Sequence, residues 1–245
     1  MSVNGKGGYF HFVSFYFQIF KTILVFCLML GITVLNKNNI SKIVKLTISA
    51  TAIITVICIV DNYFIMFSGN PLFYRLWWYS IIHIANAGVF IGMLKCKAKE
   101  KEISAFFKGY TPFYLFTFAV CFLRPFGDTL TTNFRIGHGT ILFLNYLIHN
   151  PKDSEIWFNF LGNILIFLPL PFILISFFNK IKTYQLIFVG AMFPIFAEGY
   201  QYIFKCGDVD IDDVILNFAG FLMGLFLLKA IPKIIKKISD KKRLS

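Results

Sequence analysis

The chain has 245 residues, 57% hydrophobic and only 15% charged, with a mean hydropathy of +0.70. Soluble domains carry roughly a quarter charged residues, so this composition excludes an ordinary soluble fold and indicates an integral membrane protein. The formal charge of +12 comes from short segments and a tail, not from a basic, aromatic-interleaved face, which argues against a nucleic-acid partner.

A spanning helix needs roughly 20 mostly apolar residues, and seven stretches qualify. They are Phe15–Leu35, Leu46–Phe67, Leu76–Leu94, Tyr110–Leu123, Ile156–Phe178, Gln185–Phe204 and Ile211–Ile231. The first has no small-x-small cleavage site near its end and reads as a retained span. The fourth is the shortest and stops at Arg124-Pro125, and the apolar Thr140–Ile148 reads as a re-entrant or surface segment. Gly88–Gly92 and Gly220–Gly224 have the spacing that lets helix backbones approach closely. The five cysteines are dispersed with no CxxC pair, which argues against metal–thiolate chemistry.

Charge placement gives the orientation. Sixteen basic residues fall in one set of alternate segments, including Lys95–Lys108, Lys180, Lys182 and the tail, and six in the other set. Cytoplasmic segments are enriched in Lys and Arg, so the amino terminus is expected outside and the carboxyl terminus in the cytoplasm. The acidic residues between the last two spans, Asp208, Asp210, Asp212 and Asp213, then face outward.

Those acidic residues are the chemical signal. In the last span Asp213, Asn217, Gly220 and Gly224 follow at three- and four-residue steps and share a face, and Asp210 is an i, i+3 neighbour of Asp213. The sixth span offers Glu198 and Gln201, and the fifth Asn159 and Asn163, followed by Pro169 and Pro171, which interrupt its hydrogen bonds. Ionisable groups inside a bilayer are expensive and mark functional sites by default. Asn159, Asn163, Glu198, Gln201, Asp210, Asp213 and Asn217 are therefore expected to line one outward-facing polar pocket. For Asp210 and Asp212 an equal reading is helix capping. For Asn163 and Asn217 it is interhelical hydrogen bonding. Glu198, inside an apolar run, favours function. Clustered carboxylates repel unless compensated. Arg124 and Arg135 are the candidate charge partners, and no cofactor is expected unless a divalent cation takes that role. His138, between two glycines, reads as a loop residue, and His83 and Asn86 as buried polar residues with local partners.

Three motifs in order carry a resemblance: Asn159-Phe160-Leu161-Gly162-Asn163 running on to Phe167 and Pro169, Glu198-Gly199-Tyr200-Gln201, and Asp210-Ile211-Asp212-Asp213 running on to Asn217 and Gly220. The chain resembles the VanZ-like family over about Tyr110–Ile231. It departs from the family pattern at Cys206-Gly207-Asp208, where an Arg often precedes the Asp, and at Asn133-Phe134. The hydropathy reading gives an all-α polytopic membrane bundle of about seven helices. The resemblance makes the last four of them a VanZ-like core (109–232), after three amino-terminal helices (1–108) of unassigned role and before a basic cytoplasmic tail (233–245). It also implies a cell-envelope protein of the kind linked to resistance to teicoplanin, a lipid-bearing glycopeptide antibiotic.

Three functions compete. The first is binding of, or protection against, an amphiphile such as that antibiotic or an envelope lipid. The second is an intramembrane enzyme acting on an envelope lipid or cell-wall precursor, with Glu198 and Asp213 as acid and base. The third is a transporter. Transporters often contain two related halves, and the carboxylate motifs have no counterpart in residues 1–100, which disfavours transport.

Overall fold

The computed structural model describes residues 39–66, 72–122, 130–149, 154–205 and 207–243. Side chains are described for all of these except 58–66, 72–81, 130, 147, 154–159, 207–208 and 232–243. The expected first span, Phe15–Leu35, lies outside the described residues.

The chain divides into two compact units, Met1–Phe113 and Tyr114–Ser245. The division falls within a helix, a little beyond the boundary expected at residue 108. The first unit contains α1 (Ile40–Met66), α2 (Leu72–Lys95) and most of α3 (Glu100–Phe122). Asn39 starts α1 by accepting the Lys42 N–H at 3.0 Å on its side-chain oxygen. α3 begins ten residues before the apolar run suggests. Its polar first turn holds because Glu102 reaches back to the Lys99 N–H at 2.8 Å.

The interior of this unit is partly polar. Thr47, Thr51 and Thr55 recur every four residues along one buried face of α1. Thr51 donates to Asn86 Oδ1 at 3.3 Å, and Asn86 Nδ2 donates to the Ile82 carbonyl at 2.9 Å. His83 pairs with the Tyr110 hydroxyl, so His83 and Asn86 do have local partners. Gly109 lets α3 lie against Ile48, whereas Gly88 faces open space and makes no close helix contact.

The second unit contains the end of α3, then β1 (Leu130–Asn133), α4 (His138–His149), α5 (Ser154–Phe167), α6 (Leu170–Phe177), α7 (Thr183–Phe204), β2 (Gly207–Asp210) and α8 (Ile211–Arg243). The expected fifth span is two helices. It breaks at Leu168-Pro169, where Pro169 becomes the N-cap of α6 and Pro171 has no N–H to donate. α8 packs against α5, α6 and α7. Gly220 and Gly224 make this possible: a methyl group on either would overlap the backbone carbonyl of Ile164 or Leu168. Phe118, Phe122, Phe167 and Phe193 form an aromatic cluster beneath this contact, with centroids 4.9–6.1 Å apart.

Four helices are long and apolar enough to cross a membrane among the described residues: Ile40–Ile57, Phe160–Phe177 (the α5–α6 pair), Thr183–Phe204 and Ile211–Ile231. Within α2 the residues with described side chains, Ile82–Lys95, form a shorter apolar stretch. Outward-facing side chains such as Phe188, Ile203 and Phe226 are 65–71% exposed, as suits a surface solvated by lipid. One element stands outside an all-helical description. β1 and β2 pair in parallel, Asn133 opposite Asp210 and Thr131 opposite Asp208. The strands satisfy backbone groups in the stretches that lead into α4 and α8.

Candidate polar site at one end of the second unit

Helix periodicity delivers the side chains. On α7 the buried positions are Leu186, Gly190, Pro194, Ala197 and Glu198, so Glu198 ends the stripe that faces the other helices. On α8, Asn217 lies one turn beyond Asp213 on the face where Gly220 meets α5. Asn163 precedes Ile164, the residue that Gly220 touches, which places it opposite Asp213.

The cluster has two layers. In the inner one, Asn163 Nδ2 donates to Asp213 Oδ1 at 2.6 Å. Glu198, only 5% exposed, accepts the Asp210 backbone N–H at 3.3 Å through Oε2. The charges of Asp213 and Asp210 both act on it. Below them Asn217 is fully buried, and neither its Nδ2 nor its Oδ1 has a hydrogen-bond partner among the described residues.

The outer layer is scaffold. Asp210 caps its own helix, Oδ1 accepting the Asp212 N–H at 2.9 Å, while Oδ2 accepts Asn133 Nδ2 at 3.0 Å. Asp212 caps a different helix. Its two oxygens accept the Gly137 N–H at 2.6 Å and the Thr140 N–H at 2.8 Å, so the carboxylate sits on the positive end of α4. Gly139 permits the approach, since a methyl group there would collide with the Asp210 carboxylate. Gly137 takes the left-handed turn before it, at φ +79°.

Four of the seven expected site residues thus meet at one end of the unit, Asn163, Glu198, Asp210 and Asp213, and Asn217 lies one turn along α8 from Asp213. Gln201, half-buried one turn beyond Glu198, takes no part in these hydrogen bonds. Asn159 lies one turn before Asn163 on α5, and its side chain is outside the described residues, as is Arg124 altogether. Arg135 is exposed in the turn before α4, where its backbone N–H donates to Asn133 Oδ1 at 3.2 Å. Among the described residues no group of three or more His, Cys, Asp and Glu side chains is arranged to hold a metal ion.

Asn133, Gly137, Gly139 and Thr140 also belong to this end of the unit, and sequence reasoning does not single out any of them as site residues. Their partners lie about seventy residues away, beyond the reach of any spacing rule. The one signal was the parent motif, where Asn133 and the Gly-His-Gly stretch stand in place of a family element.

The VanZ/LLP1 family profile matches residues 111–233. The chain belongs to the VanZ/LLP1 family. No curated protein and no solved structure matches it. The VanZ/LLP1 match begins near the start of the second unit and covers every residue of the two layers. The first unit lies almost wholly outside the VanZ/LLP1 region.

Proposed function

We propose that this protein binds, or protects the membrane against, an amphiphile at the outer leaflet, either a lipoglycopeptide of the teicoplanin type or an envelope lipid. Asn163, Glu198, Asp213 and Asn217 would meet its polar head. The observation that carries this reading is Glu198: a carboxyl 5% exposed on a membrane helix, beside a second carboxyl paired to an amide. Burying such groups costs several kcal/mol unless a partner repays it, so a merely structural role is poorly served by them. Asp210 and Asp212, engaged in caps, act as supports rather than ligand contacts. The apolar outer faces of α7 and α8 would accommodate the tail.

The outward orientation rests on the excess of Lys and Arg at Lys180, Lys182 and the tail, at the opposite end of α7 from Glu198.

One observation favours a second reading, an enzyme acting on an envelope lipid or cell-wall precursor. Asp213 accepts a side-chain amide at 2.6 Å, whereas Glu198 ends an apolar stripe with one backbone N–H at 3.3 Å. Two carboxyls in unequal surroundings suit a division into acid and base.

Glu198→Gln and Asp213→Asn, produced at equal membrane abundance, test both in a teicoplanin-susceptibility assay. Binding predicts that protection falls together with retention of labelled antibiotic. Lost protection with unchanged retention favours the enzyme. Full protection by both variants overturns the site.

A further inference from the structure

Asn217 poses a chemical question that the rest of the cluster does not. It is fully buried, and both its donor and its acceptor are unpartnered among the described residues. A buried donor and acceptor left unmet are destabilising. Interhelical hydrogen bonding would explain an amide here, yet Asn217 makes none, while Asn163 one turn above does. A primary amide that must both give and receive is satisfied by a group that does the same, and a hydroxyl is the smallest such group. Glu198, which shares this end with Asp213, one turn before Asn217 on α8, is an acceptor when ionised and favours a donor. The surroundings are also rich in carboxyl groups. Four carboxyl side chains, those of Glu198, Asp210, Asp212 and Asp213, gather at this end, and a phosphate group entering there meets like charge.

We propose that the corner formed by Glu198, Asp213 and Asn217 selects a neutral, hydroxyl-bearing head group, of sugar type, and rejects a phosphate-terminated one. Asn217 is the residue that reads the hydroxyl. The inference rests on the amphiphile-binding reading above and narrows the class of ligand.

The test uses the full chain reconstituted in vesicles of equal parts phosphatidylcholine and either monoglucosyl diacylglycerol or phosphatidic acid, with lipid retention after detergent extraction read by native mass spectrometry. Wild-type protein is expected to retain the glucosyl lipid about tenfold over phosphatidic acid, the ratio one good polar contact supplies. Asn217→Leu, which removes the unmet amide at similar volume, is expected to melt at the same temperature or higher while losing that preference. Asn217→Ser, which keeps a donor and an acceptor, is expected to retain part of it, and it stands in should the leucine variant not fold. Equal retention of the two lipids by wild type overturns the proposal. So does a leucine variant that melts lower yet keeps the preference, because the amide would then serve the packing. If wild type retains both lipids equally but Glu198→Gln releases both, the head-group inference fails and amphiphile binding stands. If neither lipid is retained, or retention ignores Glu198→Gln, both fail.

Discussion

Asp212 closes the start of a helix that begins more than seventy residues before it, holding the Thr140 N–H at 2.8 Å on the second of its two oxygens. The first oxygen takes Gly137. A charged acceptor bound to two helix-end donors contributes about 1–3 kcal/mol. Asp212→Ala is therefore expected to lower the melting temperature of the purified protein and to speed amide exchange at residues 137–141, leaving α7 protected. Asp212→Asn, which keeps one acceptor, is expected to fall between. Unchanged exchange in α4 would mean that the bond does not hold this helix.

The glycines on α8 are expected to divide sharply from those elsewhere. At Gly220 and Gly224 an added methyl meets backbone carbonyls, which cannot swing aside. Alanine at either is expected to destabilise by about 1–3 kcal/mol. Gly162 and Gly199 have open space at the same position, and alanine there is expected to be neutral or to stabilise by about 0.5–1 kcal/mol through helix propensity. Thermal melts of the four variants check this, and equal behaviour would refute the close contact between α5 and α8.

Lys205 ends α7 at φ 51°, in the left-handed region. A side chain there costs roughly 1 kcal/mol that glycine does not. Lys205→Gly is expected to raise the melting temperature by a few degrees. A fall would show that the lysine side chain contributes more than the strain removes.

Asn163 and Asp213 are joined at 2.6 Å. A double-mutant cycle with Asn163→Ala and Asp213→Ala is expected to give a coupling of about 0.6–1.7 kcal/mol, the range for polar pairs between membrane helices. Additive effects would mean that the pair is not formed in the bilayer.

Sidedness is checked separately. Reporter fusions at Asn179 and after the tail are expected to register in the cytoplasm, and a fusion at Lys205 outside. A cytoplasmic signal at Lys205 would overturn the outer-leaflet reading, whatever the site binds.

Some of this was legible in the chain. α7 and α8 begin within two residues of their expected starts, because long apolar runs mark both and Asp210 precedes α8. The break at Leu168-Pro169 follows from proline chemistry alone. The fourth span was placed only in part: Glu100–Lys108 is too charged for a hydropathy reading, yet it is the first part of α3. The strands were invisible: Leu-Thr-Thr-Asn and Gly-Asp-Val-Asp are too short to show alternation, and their pairing spans 77 residues. For the aspartates, the capping and functional readings could not be separated locally. Asp210 proved to cap its own helix and Asp212 a distant one, which only the tertiary arrangement decides. Asp213 and Glu198 kept the inward positions that helical spacing gave them.

The parallel pairing of Asn133 with Asp210 has a consequence for biogenesis. When residues 130–149 emerge from the ribosome, the strand and the carboxylate that fasten them have not been made. Contacts so distant along the chain form late, after the intervening helices have entered the bilayer. Closure of this end of the protein is thus a terminal event in its assembly, and a chain truncated before Asp212 would leave the segment untethered at the membrane surface.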